Sequence, residues 1–258
     1  MMKILTRVKK KLLSKPLSEN ETTASVLEKT GNQIYTGPFA GLLIPDILKP
    51  SLKLSEVLGL YESVLHQSFS QLINKNIENI MVIGGHKGYY PAGLSNLLRP
   101  KNMYVFEMDE QFRPLIDSWI EINNLKPYIN FPEATEEILL NWQEKIDFLL
   151  IDCEGAEDFL LQPQKFHWQS ETDILVEIHH FYDNKILGNL ISRFKDTHNL
   201  SIIYDDIAEN EKINNVLTGL AINGTYRGHP THRWIFDKNK NKIITAGIFL
   251  YMSVKSKK

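Results

Sequence analysis

The stretch that decides the fold is Ile80-Met-Val-Ile-Gly-Gly-His-Lys-Gly88, followed by Tyr89 and Tyr90. Its four apolar residues predict a buried strand, and a helical spacing of apolar residues begins after Gly88. Glycine suits the turn between them, because it adopts positive φ angles and has no Cβ that would hold a ligand away. A strand, a glycine turn and a helix in this order favour a nucleotide-like ligand. A tight turn that binds nothing would show the same glycines.

The composition restricts the class of protein. The chain has 258 residues, 43% of them hydrophobic and 23% charged, which is ordinary for a soluble globular protein. The net charge of -2 gives no electrostatic case for nucleic acid, so we predict no nucleic-acid partner. Cys153 is the only cysteine, which excludes an intramolecular disulfide and a cysteine-based zinc site and fits a cytoplasmic location. No apolar run approaches the roughly 20 residues of a transmembrane helix.

The chain is predicted to have two regions, an N-terminal extension over residues 1–76 and a main domain over residues 77–258. Residues 3–14 predict a basic amphipathic helix, which could contact a membrane surface or a second subunit, or pack on its own domain. The polar residues 14–30 predict a linker. The spacing of apolar residues over 54–73 predicts a lead-in helix before the main domain.

Strands and helices alternate in the main domain. The predicted strands cover residues 80–84, 103–107, 128–131, 146–151, 173–178, 200–204, 232–236 and 246–254. The predicted helices cover residues 89–98, 109–123, 134–145, 156–161 and 184–195. This order predicts an α/β sandwich around a mostly parallel sheet. Ligands of such sheets bind beyond the carboxyl ends of the strands, so the residues that follow the strands are the candidate site residues.

An acidic residue ends the second of these strands. Glu107 lies about 20 residues beyond the glycine turn and is followed by Met108 and Asp109. A carboxylate at this position can accept hydrogen bonds from both ribose hydroxyls of an adenosine. The alternative is that Glu107 stabilises the N-terminus of the next helix through the helix dipole, a role that suits Asp109 better.

More acids and histidines follow the strands over 146–151 and 173–178. Asp152, Glu154 and Glu157 fall within six residues, which suits a general base, a hydrogen-bond partner for a substrate or a metal site. Helix capping would explain one of the three. Glu177 and His179 lie on one face of the next strand end, and the alternative to a functional pair is a satisfied buried polar pair.

Three segments together resemble a known family. The run Asp147-Phe-Leu-Leu-Ile-Asp-Cys-Glu-Gly-Ala-Glu157 resembles the Asp-x-x-Lys-Ile-Asp-Val-Glu-Gly-Ala-Glu signature of FkbM-type methyltransferases, which use S-adenosylmethionine (SAM). The loop Gly84-Gly-His-Lys-Gly-Tyr-Tyr90 resembles the Gly-Ala-Asn-x-Gly-Tyr-Tyr loop of that family. Val176-Glu-Ile-His179 resembles the end of its fifth strand. The resemblance covers roughly residues 35–254.

The resemblance implies a class I, Rossmann-like SAM-methyltransferase fold with a seven-stranded, mostly parallel sheet and an antiparallel last strand. It implies SAM as the cofactor, with the glycine loop near the methionine part and Glu107 on the ribose. It implies O-methylation of a hydroxyl on a sugar or natural product, so the predicted partner is a small-molecule or glycan acceptor, with homo-oligomerisation also compatible. The predicted cofactor-binding residues are Gly84, Gly85, His86, Gly88, Glu107, Met108 and Glu62.

The chain departs from the family pattern at three positions. Val82 stands where the family has an acid, Leu150 where it has a lysine, and His86 where it has an asparagine. The missing acid removes a contact near the amino group of SAM, and Glu62 of the lead-in helix could supply a replacement carboxylate. Val82 and Leu150 also support a second hypothesis, a catalytically degenerate methyltransferase fold that serves as a binding or scaffold protein.

Methyl transfer to a hydroxyl requires an aligned acceptor and removal of its proton. His179 is the first candidate for the base, because histidine titrates near neutral pH. Asp152 is the second candidate, and Glu154 completes the predicted catalytic set. These three residues could instead ligate a metal ion, but we predict no metal.

Overall fold

The computed structural model describes residues 16–125, 128–205, 208–228, 233–236, 242–245 and 247–256. The predicted basic helix over residues 3–14 lies outside these ranges. In the described ranges, no helix combines the length and the apolar character needed to cross a membrane.

A seven-stranded sheet forms the centre of the molecule. Its strands are β1 (Asn79–Ile83), β2 (Asn102–Phe106), β3 (Tyr128–Phe131), β4 (Phe148–Ile151), β5 (Asp173–Glu177), β6 (His198–Tyr204) and β7 (Ile248–Val254). Their spatial order is β3-β2-β1-β4-β5-β7-β6. Strands β1 to β5 pair in parallel, whereas β7 runs antiparallel to both β5 and β6. A mostly parallel sheet with an antiparallel last strand confirms the predicted class I methyltransferase fold.

Helices cover both faces of this sheet. They are α1 (Glu19–Thr30), α2 (Leu54–Leu58), α3 (His66–Ile73), α4 (Tyr89–Leu98), α5 (Arg113–Ile122), α6 (Glu136–Leu140), α7 (Glu157–Leu160), α8 (Ile186–Phe194) and α9 (Glu209–Gly219). Short 3-10 turns cover Ser63–Leu65 and His167–Glu171. The strands alternate between two hydrophobic clusters, so that Ile80 and Val82 pack on one face while Met81 and Ile83 pack on the other. Burial on both faces explains the continuous apolar runs of the parallel strands.

The N-terminal segment shares one hydrophobic cluster with the sheet. Val26, Leu54 and Phe69 belong to the cluster that contains Ile80 and Val82. The segment from residue 16 onward therefore packs on the sheet face that also carries α4 and α5. Whether its boundary lies at residue 76 stays a prediction.

Two predictions for the N-terminal segment are wrong. The predicted linker over 14–30 contains helix α1, because Thr22, Val26 and Leu27 form a buried stripe in an otherwise polar sequence. The predicted lead-in helix over 54–73 is divided into α2, a turn and α3. Helix α2 ends at Gly59, where the backbone is left-handed and a Cβ would lie 2.0 Å from the Thr36 carbonyl oxygen.

The predicted strand over 232–236 does not extend the central sheet. Residues Arg233–Phe236 instead pair antiparallel with Lys242–Thr245. The short strand Pro16–Leu17 likewise pairs outside the sheet, with Thr225–Tyr226. The antiparallel strand that the fold requires is β7 alone, inserted between β5 and β6.

Candidate functional site

A cavity of about 460 Å³ lies at the carboxyl ends of β1, β2 and β4. This is the edge at which ligands of parallel sheets bind, and the volume is in the range of small-molecule sites. The lining includes both predicted cofactor-binding residues and predicted catalytic residues: Gly84, His86, Glu107, Met108, Asp152 and Glu154. The strand-end residues therefore meet in one place, as the sequence predicts.

The glycine turn is shaped by packing. Gly84 has a φ of +91°, and a Cβ there would lie 1.7 Å from the Asp152 carbonyl oxygen. Gly85 and Gly88 are not among the cavity-lining residues; a Cβ on either would collide with side chains of α5. The structure therefore brings Gly84 and His86 to the cavity and places the other two glycines against a helix.

The carboxylate of Glu107 connects the glycine turn to the end of β2. One oxygen accepts a hydrogen bond from the backbone N–H of His86 (2.6 Å), and the other accepts one from the N–H of Asp109 (2.8 Å). The first bond holds His86 in a left-handed conformation, with a φ of +43°. Each carboxylate oxygen has a second lone pair, so Glu107 can still accept hydrogen bonds from a diol in the cavity.

Several lining residues were missed by the sequence analysis. They are Lys53, Tyr61, Phe112, Glu133, Ala134, Phe159 and Leu160. Glu133 follows β3, so the strand-end rule that selects Glu107 would also select it. Lys53 precedes α2, and its ammonium lies 5.2 Å from the centre of the Tyr61 ring. No local pattern in the sequence connects Lys53 or Tyr61 to the strands of the sheet, which begin more than 15 positions later.

Glu62 does not line the main cavity. It lies in a small neighbouring pocket together with Tyr90, Leu150 and Asp152, and only 7% of it is exposed. The Tyr90 hydroxyl donates a hydrogen bond to the Glu62 carboxylate. Burial, together with the negative charge of Asp152, raises the pKa of Glu62 to about 8. The contact of Glu62 with a cofactor stays a prediction.

The raised pKa of Glu62 predicts how stability depends on pH. The folded state holds this proton more tightly than the unfolded state, whose carboxyl pKa is about 4.5. As pH rises from 4.5 to about 8, the contribution of Glu62 to the free energy of unfolding therefore decreases by about 1.4 kcal/mol per pH unit. Glu62→Gln removes the ionisation and keeps an oxygen for Tyr90. We expect urea unfolding to show that the free energy of unfolding of the variant rises relative to that of the wild type as pH increases.

The matched control for this experiment is Glu110→Gln, which changes an exposed acid. Its stability difference from the wild type should stay constant across the same pH range. Equal pH profiles for Glu62→Gln and the wild type would contradict a protonated Glu62 in the folded protein.

His179 lies at the centre of a group of carboxylates. Its ring is fully buried, and Nδ1 is hydrogen-bonded to the carboxylate of Glu157, which is also buried. Nε2 lies 3.6 Å from Oδ1 of Asp152 and 3.4 Å from Oε2 of Glu154. The structure thus brings the three predicted catalytic residues together. Asp152 and Glu154 line the cavity, whereas His179 lies behind them.

The cysteine in the acidic segment is not set up as a nucleophile. Cys153 lines the cavity. Burial raises the pKa of its thiol well above the usual range, and the carboxylates of Glu157 and Asp152 add to this effect. A thiolate is the reactive form of cysteine, so the protonated Cys153 is only a small apolar part of the wall at neutral pH.

The chain is similar to several solved methyltransferase structures at low sequence identity. No protein-family model and no curated protein matches the chain. A SAM-dependent O-methyltransferase from Thermotoga maritima is 11% identical, with a TM-score of 0.45 over 84% of this chain and 74% of that one. A precorrin-6y C5,15-methyltransferase from Geobacter metallireducens is 10% identical, with a TM-score of 0.47 over 77% and 88%. An rRNA methylase from Streptococcus thermophilus is 12% identical, with a TM-score of 0.46 over 74% and 96%.

The fold assignment stands on the strand order and strand directions of the sheet.

Proposed function

We propose that this chain is a SAM-dependent methyltransferase. The observation that carries the proposal is the carboxylate of Glu107, which lies at the end of β2 in the wall of the cavity and binds the turn after β1. A carboxylate at this position of a doubly wound sheet suits the two hydroxyls of a ribose. The cavity volume of about 460 Å³ suits a ligand of nucleoside size.

The chemistry of the lining fits the parts of SAM. Met108, Phe112 and Ala134 offer apolar surface for a purine ring. The Glu133 carboxylate can accept a hydrogen bond from an exocyclic amino group, and the Lys53 ammonium can pair with an amino-acid carboxylate. The lining therefore offers a partner for the base, the ribose and the methionine part of SAM, although position 82 carries no acid.

The acidic cluster is proposed to receive the acceptor. Bound SAM would supply a methyl group on a positively charged sulfur. Asp152 and Glu154 face the cavity and can orient an acceptor hydroxyl, and its proton can pass to the cluster that they form with His179. Glu157 fixes the orientation of the imidazole through Nδ1.

We infer that the acceptor is a hydroxyl of a sugar or a natural product, as in the FkbM-type family. The exposed ring of Phe159 lines the cavity, and the exposed ring of Tyr182 packs against Gly155 in the acidic segment. Aromatic rings beside carboxylates suit a small polyhydroxylated or aromatic acceptor. A cytoplasmic location, the absence of a nucleic-acid partner, and membrane or subunit contacts through residues 3–14 stay predictions.

The direct test is binding of SAM and S-adenosylhomocysteine to the purified full chain. We expect micromolar affinity by isothermal titration. At a concentration of about 100 times Kd, binding adds about 2.7 kcal/mol to the free energy of unfolding, which raises Tm by roughly 5 °C or more. Adenine alone should bind far more weakly, because it lacks the ribose that Glu107 recognises.

A folded protein that gives neither heat nor a shift in Tm would overturn the proposal. That result would favour the scaffold hypothesis, which already draws support from Val82 and Leu150. Both side chains are apolar and buried in the structure, so neither position supplies a charge.

A further inference from the structure

We propose that Asp152, Glu154 and His179 form a binding site for one divalent metal ion at the edge of the cavity. The site itself stands on the arrangement of these side chains, whereas its part in catalysis rests on the proposed methyl transfer. The inference replaces our sequence-based expectation that the chain has no metal.

The first argument is the convergence of three ligand atoms. One side-chain oxygen of Asp152, one of Glu154 and a ring nitrogen of His179 all lie within 4.8 Å of one another. Nε2 is 3.6 Å and 3.4 Å from the two carboxylate oxygens. An N–H···O hydrogen bond is shorter, at about 2.7–3.2 Å. Two atoms that each lie about 2.1 Å from a tetrahedral metal ion are about 3.4 Å apart.

The second argument is the state of the histidine. The ring of His179 is fully buried, and within the described part of the chain its Nε2 has no hydrogen-bond partner. Buried polar atoms are almost always hydrogen-bonded. Nε2 also lies 3.9 Å from Oε2 of Glu177, so a nitrogen that faces three carboxylates without a hydrogen bond calls for a cation. An ion between the three side chains would satisfy it.

The third argument is the support behind the histidine. The fully buried carboxylate of Glu157 binds Nδ1 of His179, and it also accepts a hydrogen bond from the Gly155 N–H at 3.0 Å. A carboxylate on the far nitrogen is the usual support of a metal-binding histidine, because it fixes the ring and the tautomer. With the proton assigned to Nδ1, the lone pair of Nε2 is directed at Asp152 and Glu154.

The competing explanation is a doubly protonated histidine paired with these acids. An Nε2–H would then be expected to donate to one carboxylate at hydrogen-bond distance. The observed separations of 3.4 Å and 3.6 Å exceed that distance, so the geometry favours the ion.

The donor set selects the kind of ion. One imidazole nitrogen and two carboxylate oxygens suit Zn²⁺ or Mn²⁺ better than Mg²⁺ or Ca²⁺, which prefer oxygen ligands alone. Because Asp152 and Glu154 line the cavity, the remaining coordination positions can open toward an acceptor. An ion there would hold the acceptor hydroxyl and lower its pKa, and the proton would pass to the carboxylate oxygen of Asp152 or Glu154 that does not bind the ion.

The experiment uses the full chain after removal of metal by a chelator, titrated with Zn²⁺ or Mn²⁺ alone and without SAM. We expect one ion per chain by calorimetry and a change in the Mn²⁺ paramagnetic resonance signal. Glu154→Gln removes one ligand charge from a side chain that is 65% exposed, so the fold should persist. This variant should bind at least about tenfold more weakly. His179→Ala should also lose binding if it folds.

The matched control is His167→Ala, which removes an exposed histidine at the start of a 3-10 turn and should leave the affinity unchanged. Absence of ion binding, or equal affinity in Glu154→Gln and the wild type, would overturn the metal site and favour the protonated histidine. Since SAM is absent from these titrations, that result would not bear on the cofactor proposal. Failure of SAM to bind would likewise leave a measured metal site intact.

Discussion

Glu107→Ala is expected to weaken the binding of S-adenosylhomocysteine by about 100-fold or more. A hydrogen bond to a charged group contributes about 1.5–3 kcal/mol, so two bonds to a ribose account for about 3 kcal/mol or more. The substitution also removes the acceptor for the backbone N–H groups of His86 and Asp109, which loosens the turn at the cavity. Isothermal titration of the variant and the wild type measures the effect.

The matched control for this variant is Glu110→Ala, which removes an exposed acid from the same loop. It should bind the nucleoside with the affinity of the wild type. Circular dichroism and Tm establish that Glu107→Ala is folded at the temperature of the titration. A folded Glu107→Ala variant that retains the affinity of the wild type would show that this carboxylate only stabilises the turn and does not bind the ribose.

The strand ends of the site were predictable because their signals are local. Glu107, Asp152 and His179 each follow or end an apolar run, and a parallel sheet brings the carboxyl ends of its strands to one edge. The sequence could not predict the burial of His179 behind the two acids. It also could not predict that Glu157 binds Nδ1, because this contact joins a helix start to a different strand end.

The contribution of the N-terminal segment was not predictable from spacing. Lys53 and Tyr61 reach the cavity because the segment packs on the same hydrophobic cluster as the sheet. The spacing predicts Glu62 within a continuous helix, but α2 ends at Gly59, where Thr36 approaches too closely for a side chain. Contacts between residues so far apart in the chain leave no periodic signal.

Gly84→Ala is expected to be among the most destabilising single substitutions in this chain. A Cβ at Gly84 would lie 1.7 Å from the Asp152 carbonyl oxygen and 2.7 Å from its carbon, and the φ of +91° disfavours any other residue. The Asp152 N–H donates to the Ile83 oxygen at 2.9 Å, so β1 and β4 cannot separate without losing ladder bonds. We expect a loss of about 4 kcal/mol or more in the free energy of unfolding, measured by urea denaturation without ligand.

Gly188→Ala is the matched control, because no atom lies within 4 Å of a Cβ built at this exposed position of α8. It should be neutral or slightly stabilising, since alanine favours a helix by up to about 1 kcal/mol. The pair of variants separates two reasons for the glycine at the turn. If Gly84 served only to let a ligand approach, its variant would fold normally and lose affinity for SAM alone. Because the colliding atom belongs to the backbone of Asp152, the structure requires Gly84→Ala to be unstable even when no ligand is present.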